Sequence, residues 1–168
     1  MGLEELKEEI AKVLPTTAEE LQWGEEAGDL TLHVVQGSLK AVAASLKGMG
    51  FRILLAVAVV DEGETFRIVY PLSSIERGMR VILMTSVPRQ VPDVDSLVDV
   101  WPAANWHERE QAELFGVVFV GHPDPRHLLL PEDWEGYPLR KEYKEPEVYR
   151  GISTERPYWE DEGCSRSN

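Results

Sequence analysis

Apolar residues recur along this chain at two periods, one helical and one extended. Leu3, Leu6, Ile10 and Val13 fall at helical spacing and Pro15 follows Leu14, which predicts an opening amphipathic helix. Glu19 to Gly24 and Leu30 to Val35 are short strand candidates, separated by the turn-rich Glu25-Glu26-Ala27-Gly28-Asp29. Ser38 is placed to cap a second helix whose Leu39, Val42, Ala43 and Leu46 share one face, and Gly48 and Gly50 close it. Phe51 to Asp61 is almost continuously apolar and predicts a central strand buried on both faces. After the turn Asp61-Glu62-Gly63-Glu64, Thr65 to Leu72 alternates, with Phe66, Ile68 and Tyr70 on one side. Met79 to Val87 predicts the next strand.

The order helix, two strands, helix, three strands predicts a two-layer α+β domain with its helices on one sheet face. Val87 to Asp95 carries Pro88 and Pro92 and reads as a connection, with a helical turn over Asp95 to Val100. Pro102 suits a first helical position and Gly116 a C-terminal cap, bracketing a helix over Ala103 to Phe115. A short strand over Gly116 to Gly121 follows. The domain is expected over residues 1–119, with a loop motif and an extended C-terminal arm over 120–168. Past Pro131, the prolines 138, 146 and 157 punctuate a stretch without periodicity. Trp134, Tyr137, Tyr143, Tyr149, Tyr158 and Trp159 nevertheless lie in it. Disordered tails are poor in aromatics, whereas Trp and Tyr anchor interfaces. The segment is expected either to lie on a partner or to wrap its own domain.

Charge and cysteine content narrow the function. The 168 residues carry a net charge of −13, which opposes nucleic-acid binding and docking on anionic lipid. The single cysteine, Cys164, cannot build an intrachain disulfide, a cysteine-ligated zinc site or an iron–sulfur cluster. Met1 to Leu14 is acidic, unlike a secretory leader, and the apolar run Ile53 to Val60 is too short to span a bilayer. Neither a GxGxxG turn, a GxxxxGK[ST] loop nor a GxSxG elbow occurs.

The densest polar constellation is Trp106-His107-Glu108-Arg109-Glu110. On a helix, Trp106, Glu110 and Leu114 form one stripe, so Glu110 is expected to be partly buried and to need a cation from Arg126 or Arg140. Arg109 and Glu113 are spaced to pair. These groups serve either a buried ion-pair network or an acid/base site. Gly121-His122-Pro123-Asp124-Pro125-Arg126-His127 adds a rigid polar loop. His107, Glu110, His122 and His127 are metal-ligand types at a spacing that matches no standard zinc pattern. A free-standing metal-dependent or acid/base enzyme is therefore one alternative.

Trp106-His107-Glu108-Arg109-Glu110, then Phe115-Gly116, Phe119, Gly121-His122-Pro123-Asp124, Arg126, Leu130-Pro131-Glu132-Asp133-Trp134, Gly136, Pro138-Leu139-Arg140-Lys141 and Tyr143 resemble the signature of the 30-kilodalton subunit family of NADH–quinone oxidoreductase, or complex I. The resemblance is strong over Trp101 to Tyr143 and weaker, in strand order, over Phe51 to Val87. Where the family commonly has an aromatic and an Asp, this chain has Ala112 and Glu113, and Pro125 and His127 stand where Leu and Arg are usual. The family also includes subunits of membrane-bound nickel–iron hydrogenases, which gives a second alternative. The resemblance implies a non-catalytic subunit of the hydrophilic arm, peripheral on the cytoplasmic face of the cell membrane. It implies packing against the large quinone-site subunit and the small iron–sulfur subunits. It further implies that NADH or ferredoxin, FMN, the iron–sulfur clusters and quinone belong to the complex and not to this chain. The signature residues are then expected in structural or interface roles.

Overall fold

The computed structural model describes residues 2–14 and 21–154. Helix α1 (Leu3–Val13) buries Leu6 and Ile10, and the Glu5 carboxylate accepts the Gly2 amide at its start. Strands β1 (Leu21–Glu26) and β2 (Asp29–Val34) form an antiparallel hairpin. Its turn residues Ala27 and Gly28 both have positive φ, 51° and 84°, which matches the right-handed twist of the strands. Helix α2 (Leu39–Gly48) buries Leu39, Val42, Ala43 and Leu46, the face read from the sequence. Ser38 does not cap it. A 3-10 turn over Gln36–Ser38 precedes the helix and Ser38 already has helical backbone angles, so the extended residue lies further back at Val35.

Strands β5 (Thr65–Ser74) and β6 (Met79–Pro88) pair antiparallel over their full length. Phe66, Ile68, Tyr70 and Leu72 are fully buried on one side of β5, as its alternation predicts. Strand β2 pairs parallel with β6, from Leu30 opposite Val81 to His33 opposite Met84. This pairing puts β6 in the middle of the sheet.

The segment Phe51 to Asp61 is not the central, doubly buried strand that its composition suggests. It splits into β3 (Ile53–Leu54) and β4 (Ala58–Asp61), and both pair with β5 alone at the edge. Burial alternates in β4, with Val59 and Asp61 inward and Ala58 and Val60 outward. A run of apolar residues cannot distinguish a two-sided core strand from an edge strand whose outer face is also apolar.

Buried residues of all three major helices and of the inner sheet face join in one continuous core, giving two layers. After β6 the chain forms β7 (Asp93–Asp95), then a turn in which the Leu97 carbonyl accepts the Val100 and Trp101 amides. Helix α3 (Ala104–Phe115) follows, and β8 (Val118–Val120) returns parallel to β7. Pro102 lies one residue before the N-cap Ala103 rather than in the first turn. The Trp101 indole donates to the Phe51 carbonyl and ties this turn to the loop after α2. Strands β9 (Val148–Tyr149) and β10 (Ile152–Ser153) form a small hairpin in the segment read as extended. Pro15, Glu19 and Glu20 lie outside the described residues, as do Pro157, Tyr158, Trp159 and Cys164. No helix among the described residues is long and apolar enough to cross a membrane.

Candidate functional site

Helix α3 faces the core with Ala104, Glu108, Gln111 and Phe115. In the stripe of Trp106, Glu110 and Leu114, Trp106 is 61% exposed, Glu110 is half-buried as expected, and Leu114 is half-buried against the core, but no cation among the described residues reaches Glu110. The pattern is ambiguous because two carboxylates two residues apart sit on opposite sides of a helix, and either can be the inward one. The inward one is Glu108, which has no exposed surface. Its Oε2 accepts the Ser96 hydroxyl at 2.6 Å and its Oε1 the Leu97 amide at 2.7 Å, so it caps the turn before α3. Burial pushes its pKa up to about 7 against those two hydrogen bonds, and its nearest cationic influence, Lys40, is bonded to Asp99. One turn on, Gln111 Oε1 accepts the amide of Val59, fastening α3 to the edge strand β4.

A second side of α3 holds the loop that follows β8. Arg109 and Glu113 do not pair with each other. Arg109 donates to the carbonyls of Arg126 and His127 and lies 3.5 Å from Asp124. The Glu113 carboxylate accepts the amides of Leu128, Leu129 and Leu130. His122 Nδ1 accepts the Asp124 amide, so its Nε2 carries the proton and donates to the Asn105 carbonyl at 3.1 Å. The loop therefore runs alongside α3, at Asn105, then Arg109, then Glu113. Gly121, with φ 84°, turns the chain into it, and Pro123 lies exposed between His122 and Asp124. Arg126 does not reach Glu110; its Nε and Nη2 donate to Asp124, whose pKa this pair holds down at about 2.

The C-terminal end of α3 is closed by Arg140, which is likewise not a partner of Glu110. Its Nε donates to the Phe115 carbonyl at 2.6 Å, and its guanidinium lies over the rings of Tyr137 and Phe66. Gly116 caps the helix with φ 73°, and a Cβ there would sit 2.5 Å from Arg140 and Tyr137. Leu139 donates its amide to the Leu114 carbonyl, and Pro138 lies half-buried beside it. The Lys141 amide reaches back to Asp61. Sequence reasoning misses Asp61, although an Asp two residues before Gly in a turn is a signal for a side-chain-to-backbone bond. It accepts the Gly63 amide and the Arg89 guanidinium, and Arg89 also pairs with Glu142. Burial pushes the Asp61 pKa up, but these partners outweigh it and hold the group at about 2. Trp134 packs against Tyr149 with their rings tilted 53° apart, while Tyr149 and Arg150 both donate to Asp133.

A cleft of about 260 Å³ lies between α3, β8 and the loop, with Arg109, Glu113, His122, His127 and Tyr137 among its walls. Arg109, Glu113 and His122 are engaged in the backbone contacts already described. His107 lies on a different face of α3 from Arg109 and Glu113. Among the described residues no three His, Cys, Asp or Glu side chains are placed to hold a metal ion. The geometry is that of a clamp: charged side chains satisfy backbone groups of a non-repetitive segment that would otherwise lose them to burial.

Residues 32–148, which hold the whole of this clamp, match the family described as respiratory-chain NADH dehydrogenase, 30 Kd subunit. The chain belongs to this family. The C subunit of the NADH-quinone oxidoreductase of Mycolicibacterium paratuberculosis is 38% identical over 139 residues, covering 77% of this chain. The chain spans 59% of that relative's length. Among solved structures, the trypsin-resistant fragment (1-134) of Nqo5 superposes with a TM-score of 0.63 at 31% identity. That match covers 74% of this chain and 99% of the fragment. A chain of the membrane-bound sulfane sulfur reductase, an archaeal respiratory membrane complex, gives a TM-score of 0.74 over 84% of this chain and 85% of its own. At 24% identity the likeness is one of fold.

Proposed function

We propose that this member of the 30 kDa-subunit family is a non-catalytic structural subunit in the hydrophilic arm of an NADH (or ferredoxin)–quinone oxidoreductase coupled to ion translocation. The observation that carries the reading is the use of the signature residues and of Glu113, which stands among them where the family commonly has Asp. Glu108, Arg109, Glu113, His122 and Arg140 hold backbone groups in place. A scaffold, not a reacting centre, is what such bonds build. One cysteine cannot ligate an iron–sulfur cluster, and in this reading the clusters, like the flavin and quinone that the family resemblance assigns to the complex, are carried by neighbours, namely a large quinone-site subunit and small iron–sulfur subunits. The protein meets the membrane only through them, on its cytoplasmic face. In this reading residues 1–119 are the folded domain, and 120–168 carry the clamped loop and the contact arm.

The test is co-expression of the full chain with the other hydrophilic subunits of such an oxidoreductase from its own source. Co-elution with the large subunit, with no metal in the chain purified alone, is the expected result. Elution apart from it, or about one metal per isolated chain, overturns the reading. The fold shared with the sulfane sulfur reductase chain supports a second reading, the equivalent subunit of a related membrane-bound complex such as a nickel–iron hydrogenase. A co-purifying large subunit with CxxC pairs near both ends would favour it.

A further inference from the structure

The outward stripe of α3 is apolar at both ends and carries a carboxylate in its middle. Trp106 and Leu114 flank Glu110 at i−4 and i+4, so the three side chains lie in one row. The clamp extends that row. Glu113 takes the Leu129 amide, which brings the backbone of Leu129 against α3 and leaves its side chain 63% exposed. The Leu139 amide bonds the Leu114 carbonyl, which sets Leu139, 52% exposed, at the C-terminal end. Trp106 is held on one side by Arg109, whose guanidinium lies 5.4 Å from the ring centroid. Three exposed apolar side chains, Trp106, Leu129 and Leu139, thus stand around the half-buried Leu114 on backbone that hydrogen bonds hold in place, so no backbone has to be ordered on binding.

We propose that Trp106, Glu110, Leu114, Leu129 and Leu139 form a docking surface for a neighbouring protein subunit that places a Lys or Arg opposite Glu110. The inference rests on the reading of the chain as a complex subunit and deepens it by naming the surface and the chemistry of its occupant. Charge decides the occupant. The row is centred on an acidic group in a chain of net charge −13, so an anionic lipid or nucleic acid is repelled. A second copy would set Glu110 against an equally acidic chain. Covering the row with an apolar surface removes water from Glu110, and only a cation across the interface compensates that loss. An exposed Trp in an apolar patch, next to a desolvated charge pair, is the composition of an interface anchor.

The test uses the full chain co-assembled with the other hydrophilic subunits of the complex. Hydroxyl-radical labelling of Trp106, read by mass spectrometry, is compared in the free chain and in the assembly. Labelling of Trp106 and Leu129 is expected to be lost on assembly. Trp106→Ala should weaken association by about thirtyfold, the usual loss at an anchor, and Glu110→Lys by more than Glu110→Gln. All three variants should melt close to the parent, because Trp106 is exposed and Glu110, though half-buried, has no bonding partner among the described residues. An assembly in which Trp106 labels as in the free chain overturns the docking surface and leaves the proposed function standing. Protection that rises with the concentration of the chain alone assigns the surface to a second copy and overturns the proposal. Absence of any assembly removes both readings.

Discussion

Ser96 donates its hydroxyl to Glu108 Oε2 at 2.6 Å inside the core, where no cation touches the carboxylate. When Glu108 is protonated the same pair can reverse, with the acid donating to the hydroxyl while the Leu97 amide stays on Oε1. The site is built to accept both states and is strained by the charge.

This gives a pH dependence with a definite sign. Burial raises the Glu108 pKa from 4.5 to about 7, so between those values the folded chain binds more protons than the unfolded one. Stability is therefore expected to fall as pH rises through this window, by about 3 kcal/mol in total. Glu108→Gln removes the charge, keeps its amide oxygen as acceptor of the Leu97 amide, and reverses the other bond, its NH2 donating to the Ser96 hydroxyl. It should melt higher than the parent at pH 8 and flatten the profile of thermal unfolding measured from pH 5 to 8.

Asp61 acts in the opposite direction. Its folded pKa of about 2 lies below the usual 3.8, so its contribution is present above about pH 4 and is lost as pH falls through 2. Asp61→Ala leaves Arg89 without one of its two carboxylates and the Lys141 amide without an acceptor. A loss of about 2–3 kcal/mol is expected in denaturant unfolding, together with faster hydrogen exchange at Lys141.

Glu113 holds three consecutive amides, and removal of its carboxylate leaves all three without acceptors. Glu113→Ala should raise the exchange rates of Leu128, Leu129 and Leu130 while leaving β5 and β6 protected. Glu113→Asp, one methylene shorter, is expected to recover part of that protection.

Glu110 is half-buried but has no hydrogen-bond or ion-pair partner among the described residues, so Glu110→Ala should change stability by less than about 0.5 kcal/mol. Gly116→Ala is the contrasting substitution. It places a methyl group at φ 73° and 2.5 Å from Tyr137 and Arg140, and a loss of more than about 2 kcal/mol is expected. Parallel melts of the two variants check the orientation of α3 directly.

Much of this architecture follows from the sequence by itself. Short-range periodicity determines the buried face of α2, the alternation of β5 and the Gly116 cap, because each depends on residues within a few turns of one another. The ordered signature from Trp106 to Tyr143 locates the site and the family. Other features required the tertiary structure. That Phe51 to Asp61 is an edge depends on β2 pairing with β6 and not with it, a contact between residues about fifty positions apart. That Glu108 and not Glu110 is buried depends on where Ser96 and Leu97 place their donors. That Arg109 and Glu113 grip a loop instead of each other depends on the return of that loop along α3. In each case several local arrangements are nearly equal in energy, and the choice is made by long-range burial and by the need to satisfy buried polar groups.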